Sequence, residues 1–249
     1  MFVMKKKAVA TAVAGMMMVS NMAFAGFGLP SLGGALGGGN KKEVATETAK
    51  PLDLSGVTGK QELLLRTMNA GMIYAAMAQN EIGEAMGQTD KNLMATVGTI
   101  QKNLATDKKD ASKLGKELKS PTAVDFDKFA NGTDDQKAKL KEAMGKASGY
   151  KQISDVLFVA ALAQAPGVLS ETSSMLGKTK DFNVLGTLNG IIGTCKQANS
   201  LNGVRQKFFS DYAKNSANAK ALLKPTEVKL DAASLKKAAD NSKDGNFNF

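Results

Sequence analysis

Leu65, Met72, Gln79, Met86, Leu93 and Ile100 recur every seven residues, and that spacing restricts the chain more than any other feature. A seven-residue recurrence over most of forty residues is helical, because side chains seven apart lie on one helix face. Met68, Ala75 and Ile82 supply a second seam three residues after each heptad position. The same register then meets Thr89 and Thr96, and the apolar set shifts by one to Val97 and Leu104. Gly87-Gln88-Thr89-Asp90 lies where the phase changes. It is therefore either a kink in one long helix or a tight break between two antiparallel ones. From Leu63 to Ala78 the residues are apolar nearly all round, with Arg66 too near the middle for a comfortable membrane span. This predicts a central, buried helix.

The N-terminus carries a different kind of signal. Lys5, Lys6 and Lys7 precede an apolar run from Ala8 to Val19, and Ala23-Phe24-Ala25 supplies a small-x-small cleavage site. This is the three-part pattern of a secretory signal peptide, so residues 1–25 are expected to be removed and the mature chain to begin at Gly26. The apolar run is shorter than the roughly 20 residues that a span requires. No cysteine follows the site, which argues against a lipid anchor. The expected location is the periplasm or the exterior.

Cleavage would remove three lysines and no acid from the formal charge of +10, leaving +7. In an exported protein this balance points to anionic envelope surfaces, with peripheral membrane contact, or to an envelope protein as partner. Homo-oligomerisation is open. Nucleic acid is not expected, since Arg66 and Arg205 are the only arginines and tryptophan is absent. Cys195 stands alone, so no internal disulfide can form.

The predicted organisation is a signal peptide over 1–25, a flexible Gly-rich leader and polar tether over 26–57, a helical bundle over 58–224 and a C-terminal tail over 225–249. In the leader, Gly26–Gly39 has only Phe27, Leu29, Leu32, Ala35 and Leu36 as apolar punctuation. Glycine's backbone entropy argues against a regular element there. Within the bundle, Thr58 and Glu62 offer a helix start, and a short amphipathic piece around Leu114 and Leu118 is stopped by Pro121. Thr133–Lys146 carries Leu140 and Met144 inward and is expected to close at Gly149. Ile153–Ala165 follows, with Ser154 as N-cap and an end at Pro166-Gly167, and Pro166–Leu176 starts again. Phe182–Ser200 places Leu185, Leu188, Ile192 and Cys195 on one stripe, so Cys195 reads as a core residue. Val204–Leu223 is expected to bury Val204, Phe208 or Phe209, Tyr212 and Leu222. In the tail, Asp231–Asp240 is a short amphipathic helix candidate, and Gly245–Phe249 is expected to fray. The fold class is all-α, a bundle of about five to seven helices.

Chemistry is argued by exclusion. Without histidine, Ser-His-Asp and Cys-His sites, HExxH zinc sites and Glu-x-x-His di-metal bundles cannot be built. Glu81 and Glu84 lie one helical turn apart, but no neighbour separates their pKa values, so they read as two exposed acids. Asp125 and Asp127 begin like a calcium loop, yet Phe129 occupies the third ligand position and Ala130 the place of the required glycine. Asn131-Gly132-Thr133 is a formal glycosylation sequon, weak evidence beside this signal peptide. Gly83 with Gly87, and Gly186 with Gly190, are small-xxx-small pairs suggesting close helix approach. No phosphate-binding glycine motif is present. No catalytic, cofactor-binding or metal residue is assigned and no cofactor is expected. The expected function is non-enzymatic: an exported helical interaction protein, envelope structural or chaperone-like, with methionine-rich helices as adaptable contacts. The alternative is a membrane-active helical protein that associates with or inserts into anionic bilayers. A histidine-free enzyme is a remote third.

Overall fold

The computed structural model describes residues 52–104, 110–118 and 125–247. The signal peptide, the cleavage site and the Gly-rich leader lie outside the described residues. Every regular element described is a helix: α1 Ser55–Ala85, α2 Lys91–Lys102, α3 Asp110–Glu117, α4 Phe126–Ala130, α5 Asp134–Leu176, α6 Phe182–Asn215, α7 Ala217–Leu223 and α8 Ala232–Lys243. The protein is an all-α bundle.

α1 is its axis. Residues 67–76 are buried without interruption, as all-round apolarity requires of a helix enclosed by others. The heptad positions Leu65, Met72, Met86, Leu93 and Ile100 are buried, and only Gln79 remains partly exposed. α5 runs antiparallel to α1, with Glu81 beside Lys146 at one end and Lys60 beside Glu171 at the other. The two backbones meet closely at Gly71, where a Cβ would fall 2.7 Å from the Phe158 ring. Ser154 donates to the Gly71 carbonyl at 2.8 Å. α6 returns parallel to α1, Gln61 donating to Thr194 at 2.8 Å.

The phase change over Gly87–Asp90 is a break, with α1 ending at Ala85. The Gln88 N–H donates to the Gly83 carbonyl and the Gly87 N–H to the Glu84 carbonyl, and Gly87 takes φ 68°. This is the double-bonded helix stop that a left-handed residue permits. A Cβ on Gly83 would lie 2.6 Å from the Gln88 carbonyl. The Gly83/Gly87 pair therefore ends a helix and does not bring two together. Gly186 likewise has no neighbour within 4 Å of a built Cβ. Asp90 then caps α2 by accepting from the Leu93 N–H at 3.1 Å.

Several expected boundaries fail. α1 starts at Ser55, three residues before Thr58, with Asp53 accepting the Ser55 N–H at 2.9 Å. Thr133 does cap α5, its hydroxyl and the Gln136 side chain each bonding the other's backbone N–H. But Gly149 does not close that helix, Ser154 does not cap a new one and Pro166 does not end it; α5 continues for 43 residues. Pro166 and Gly167 are exposed, so water can take the carbonyl that proline leaves without a donor. The pieces expected over 182–200 and 204–223 likewise join into α6, which stops at Ser216. Its buried stripe is Leu188, Ile191, Cys195, Ala198, Leu201, Phe208 and Tyr212; Leu185, Ile192 and Val204 are half-buried, and Leu222 is 57% exposed.

The helix expected over Asp231–Asp240 is present as α8, whereas Phe247, in the stretch expected to fray, is docked. α8 buries Ala238, Ala239 and Ser242, and Phe247 packs its ring against Tyr74 at 5.3 Å between centroids. Gly245 (φ 88°) ends α8 with the same double-bonded stop, the Asn246 N–H reaching the Asn241 carbonyl and the Gly245 N–H that of Ser242.

Candidate functional site

Two polar clusters interrupt the apolar packing. The first joins α1, α5 and the tail. Tyr74 is fully buried, its ring 5.8 Å from that of Tyr150 and 5.3 Å from that of Phe247. Tyr150 donates to Glu81 at 3.4 Å, and Lys146 stands 3.4 Å from Glu81 and 3.1 Å from Glu142. Glu84 instead accepts from Asn80 at 2.9 Å. The two acids one turn apart thus face different partners and share no proton. Burial pushes the Tyr74 phenol up to about 12, and burial with the neighbouring Glu81 raises that of Tyr150. The hydrogen bond to Glu142, with the Glu81 charge, raises the Lys146 ammonium above its ordinary value. All three hold their protons at neutral pH.

The second cluster is centred on Arg205, 4% exposed on the inner side of α6. Its guanidinium pairs with Asp155 of α5 and donates to Asn202 at 2.9 Å. It lies 5.0 Å above the Phe158 ring and 5.9 Å from that of Phe209. Lys151 meets the other Asp155 oxygen. One carboxylate therefore serves two cations, and planar Arg205 fits between the rings as lysine would not. Sequence reasoning treated Arg205 only as evidence of arginine scarcity. Its position, four residues after Leu201 and three before Phe208, is the signal that places it on the buried stripe.

Cys195 is 4% exposed and burial raises its thiol, so it lies in the core as its stripe position implied. Asp125 accepts from the Lys128 N–H at 3.0 Å and caps α4. Among the described residues no three His, Cys, Asp or Glu side chains gather closely enough to hold a metal ion.

The outer surface differs from expectation in one respect. Met68, Met72, Met86 and Met144 are buried and Met77, Met94 and Met175 half-buried. These methionines of the described residues fill the interior and do not form the adaptable outer surface expected of them. Exposed apolar area lies elsewhere, at Leu63, Val159, Leu222 and above all Phe182, 89% exposed where α6 begins. Lys178 and Lys180, both exposed, share that turn. No known protein family, curated protein or solved structure matches this chain.

Proposed function

We propose that the chain is an exported helical binding protein with an envelope structural or chaperone-like role, acting by contact and not by turnover. The observation that carries this reading is the α5–α6 turn. An aromatic side chain 89% exposed to water is an unsatisfied contact surface, because phenylalanine loses most of its favourable transfer energy there. Lys178 and Lys180 flank it, so an apolar partner surface with negative charge at its rim would match it. The basic balance of the chain supports the same partner chemistry. Crosslinking capture from the native envelope tests the reading. The unsubstituted chain should recover a defined partner that the triple variant Phe182→Ser, Lys178→Glu, Lys180→Glu loses. Recovery of nothing by the unsubstituted protein, or of the same set by the variant, would overturn it.

A second reading, membrane association, has its own support. Among the described residues α5 alone is long and apolar enough to cross a bilayer, its most apolar 18-residue window having mean hydropathy 1.5 and being 39% buried. Co-flotation with anionic vesicles and dye leakage separate the two readings. A protein that neither floats nor releases dye removes the second.

A further inference from the structure

After α7 the chain crosses the bundle as a strap. Gly145 of α5 makes room for it, since a Cβ there would lie 2.9 Å from the Thr226 carbonyl. The Gln152 carboxamide donates to the Val228 carbonyl and accepts from the Leu230 N–H at 3.2 Å, which is how a neighbouring strand would bond this segment. α8 then lies against α5 and α1. Its own buried residues are small, and a cavity of about 310 Å³ remains between Leu157 and Ala160 on one side and Leu235 and Ala239 on the other. Asp244 reaches Arg66 at 3.7 Å, and Phe247 completes the contact at Tyr74. The strap is thus a separable element, joined to the bundle by one covalent connection.

That connection is strained. Lys224 takes φ 46° and ψ 58°, the only positive φ at a non-glycine among the described residues. A lysine is disfavoured there, and the following Pro225 drives its predecessor toward extended geometry. Straightening the hinge relieves both conflicts, but carries the strap away from its own groove.

We propose that the strap, Pro225–Phe247, exchanges between two copies of this chain. The occupant of each groove is then the same segment from a second molecule. Gly145, Gln152, Arg66 and Tyr74 already match that segment, so every contact is reproduced and only the hinge changes. Closure within one chain benefits from a local concentration of about millimolar, so exchange emerges as protein concentration approaches that range.

The test uses the full chain in two tagged forms, one carrying Ala160→Cys and the other Ala239→Cys, which line the same cavity; buried Cys195 is left in place. Mixed at about millimolar concentration, diluted and treated with a short bis-maleimide that spans the cavity, they should give a covalently linked heterodimer. The double variant in dilute solution should link internally, which verifies that the groove is folded. Lys224→Gly, which removes the strain at the hinge, should lower the heterodimer yield about tenfold and leave the internal link unchanged. Absence of the heterodimer where the double variant links internally would overturn the proposal, as would a yield indifferent to Lys224→Gly. Light scattering of the unsubstituted chain is an independent check: concentrated protein should contain a dimer that persists after dilution, and a monomer at every concentration refutes exchange.

Discussion

The middle of α1 and the strap helix α8 both lie against α5, and they are held in different ways. From Thr67 to Ala76 every residue of α1 is buried, and Gly71 brings its backbone so near the Phe158 ring that nothing larger fits. α8 presents Ala238, Ala239 and Ser242 and leaves a cavity beside them. Large side chains at close range fix one arrangement, because a packed interior has few alternative fillings. Small side chains over a gap make a shallower minimum, and such an element can leave without breaking the rest.

The contrast is broken most directly at Phe158. Phe158→Ala should destabilise the bundle by about 3–5 kcal/mol in urea denaturation, since the ring is 1% exposed between α1 and Arg205. Asp155→Ala should follow at about 2 kcal/mol, as Arg205 stays buried with Asn202 as its remaining hydrogen-bond partner. The double change Asp155→Leu with Arg205→Met should recover most of that loss, and failure to recover would show that the pair does more than balance charge. On the strap side, Phe247→Ala should cost only about 1–2 kcal/mol. Its signature is faster amide exchange in α8 with α1 protection unchanged; equal acceleration in both would erase the distinction. Alkali tests the region where they meet. Tyr74 is raised to about 12 in the fold against roughly 10 in an unfolded chain. The unfolded state therefore releases its proton first, so the contribution of Tyr74 to stability is constant below pH 10 and falls between pH 10 and 12. Absorbance at the tyrosinate band should rise together with unfolding. The smallest effect belongs to the surface pair Lys60 and Glu171, with side chains 55% and 35% exposed. Glu171→Gln should change stability by about 0.5 kcal/mol or less.

The fold class and the central helix were legible in the sequence because they depend on periodicity, which is local. Leu65, Met72, Leu93, Ile100 and Cys195 are buried where spacing placed them, and the phase shift over Gly87–Asp90 located the interruption without deciding between a kink and a break. Pro166 and Gly149 misled because propensity rules assume an isolated helix. In α5, long apolar contact with α1 and α6 outweighs a missing hydrogen bond on the wet side. The docking of the tail was illegible for another reason, although its helix was expected over Asp231–Asp240. Alanine and lysine in Ala232–Lys243 resemble any solvated helix, and nothing local reveals that Gly145 and Gln152, far upstream, are shaped to receive the strap. The clusters at Tyr74 and Arg205 were missed on the same ground, each being assembled from helices distant in sequence.

The contact between Phe247 and Tyr74 also has a bearing on time. It joins some of the most widely separated residues described in the chain, and closing so long a loop has nothing to gain until both of its ends are structured. The bonds from the strap to Gln152 span 76 and 78 residues, fewer than the 83 between Ser154 and Gly71, so it is the tip at Phe247, and not the strap as a whole, whose contact closes one of the longest loops. Whenever the strap is undocked, the groove over Val156 and Leu157 stands open. Under the proposed exchange, docking of the strap is the step at which a chain finishes alone or with another copy.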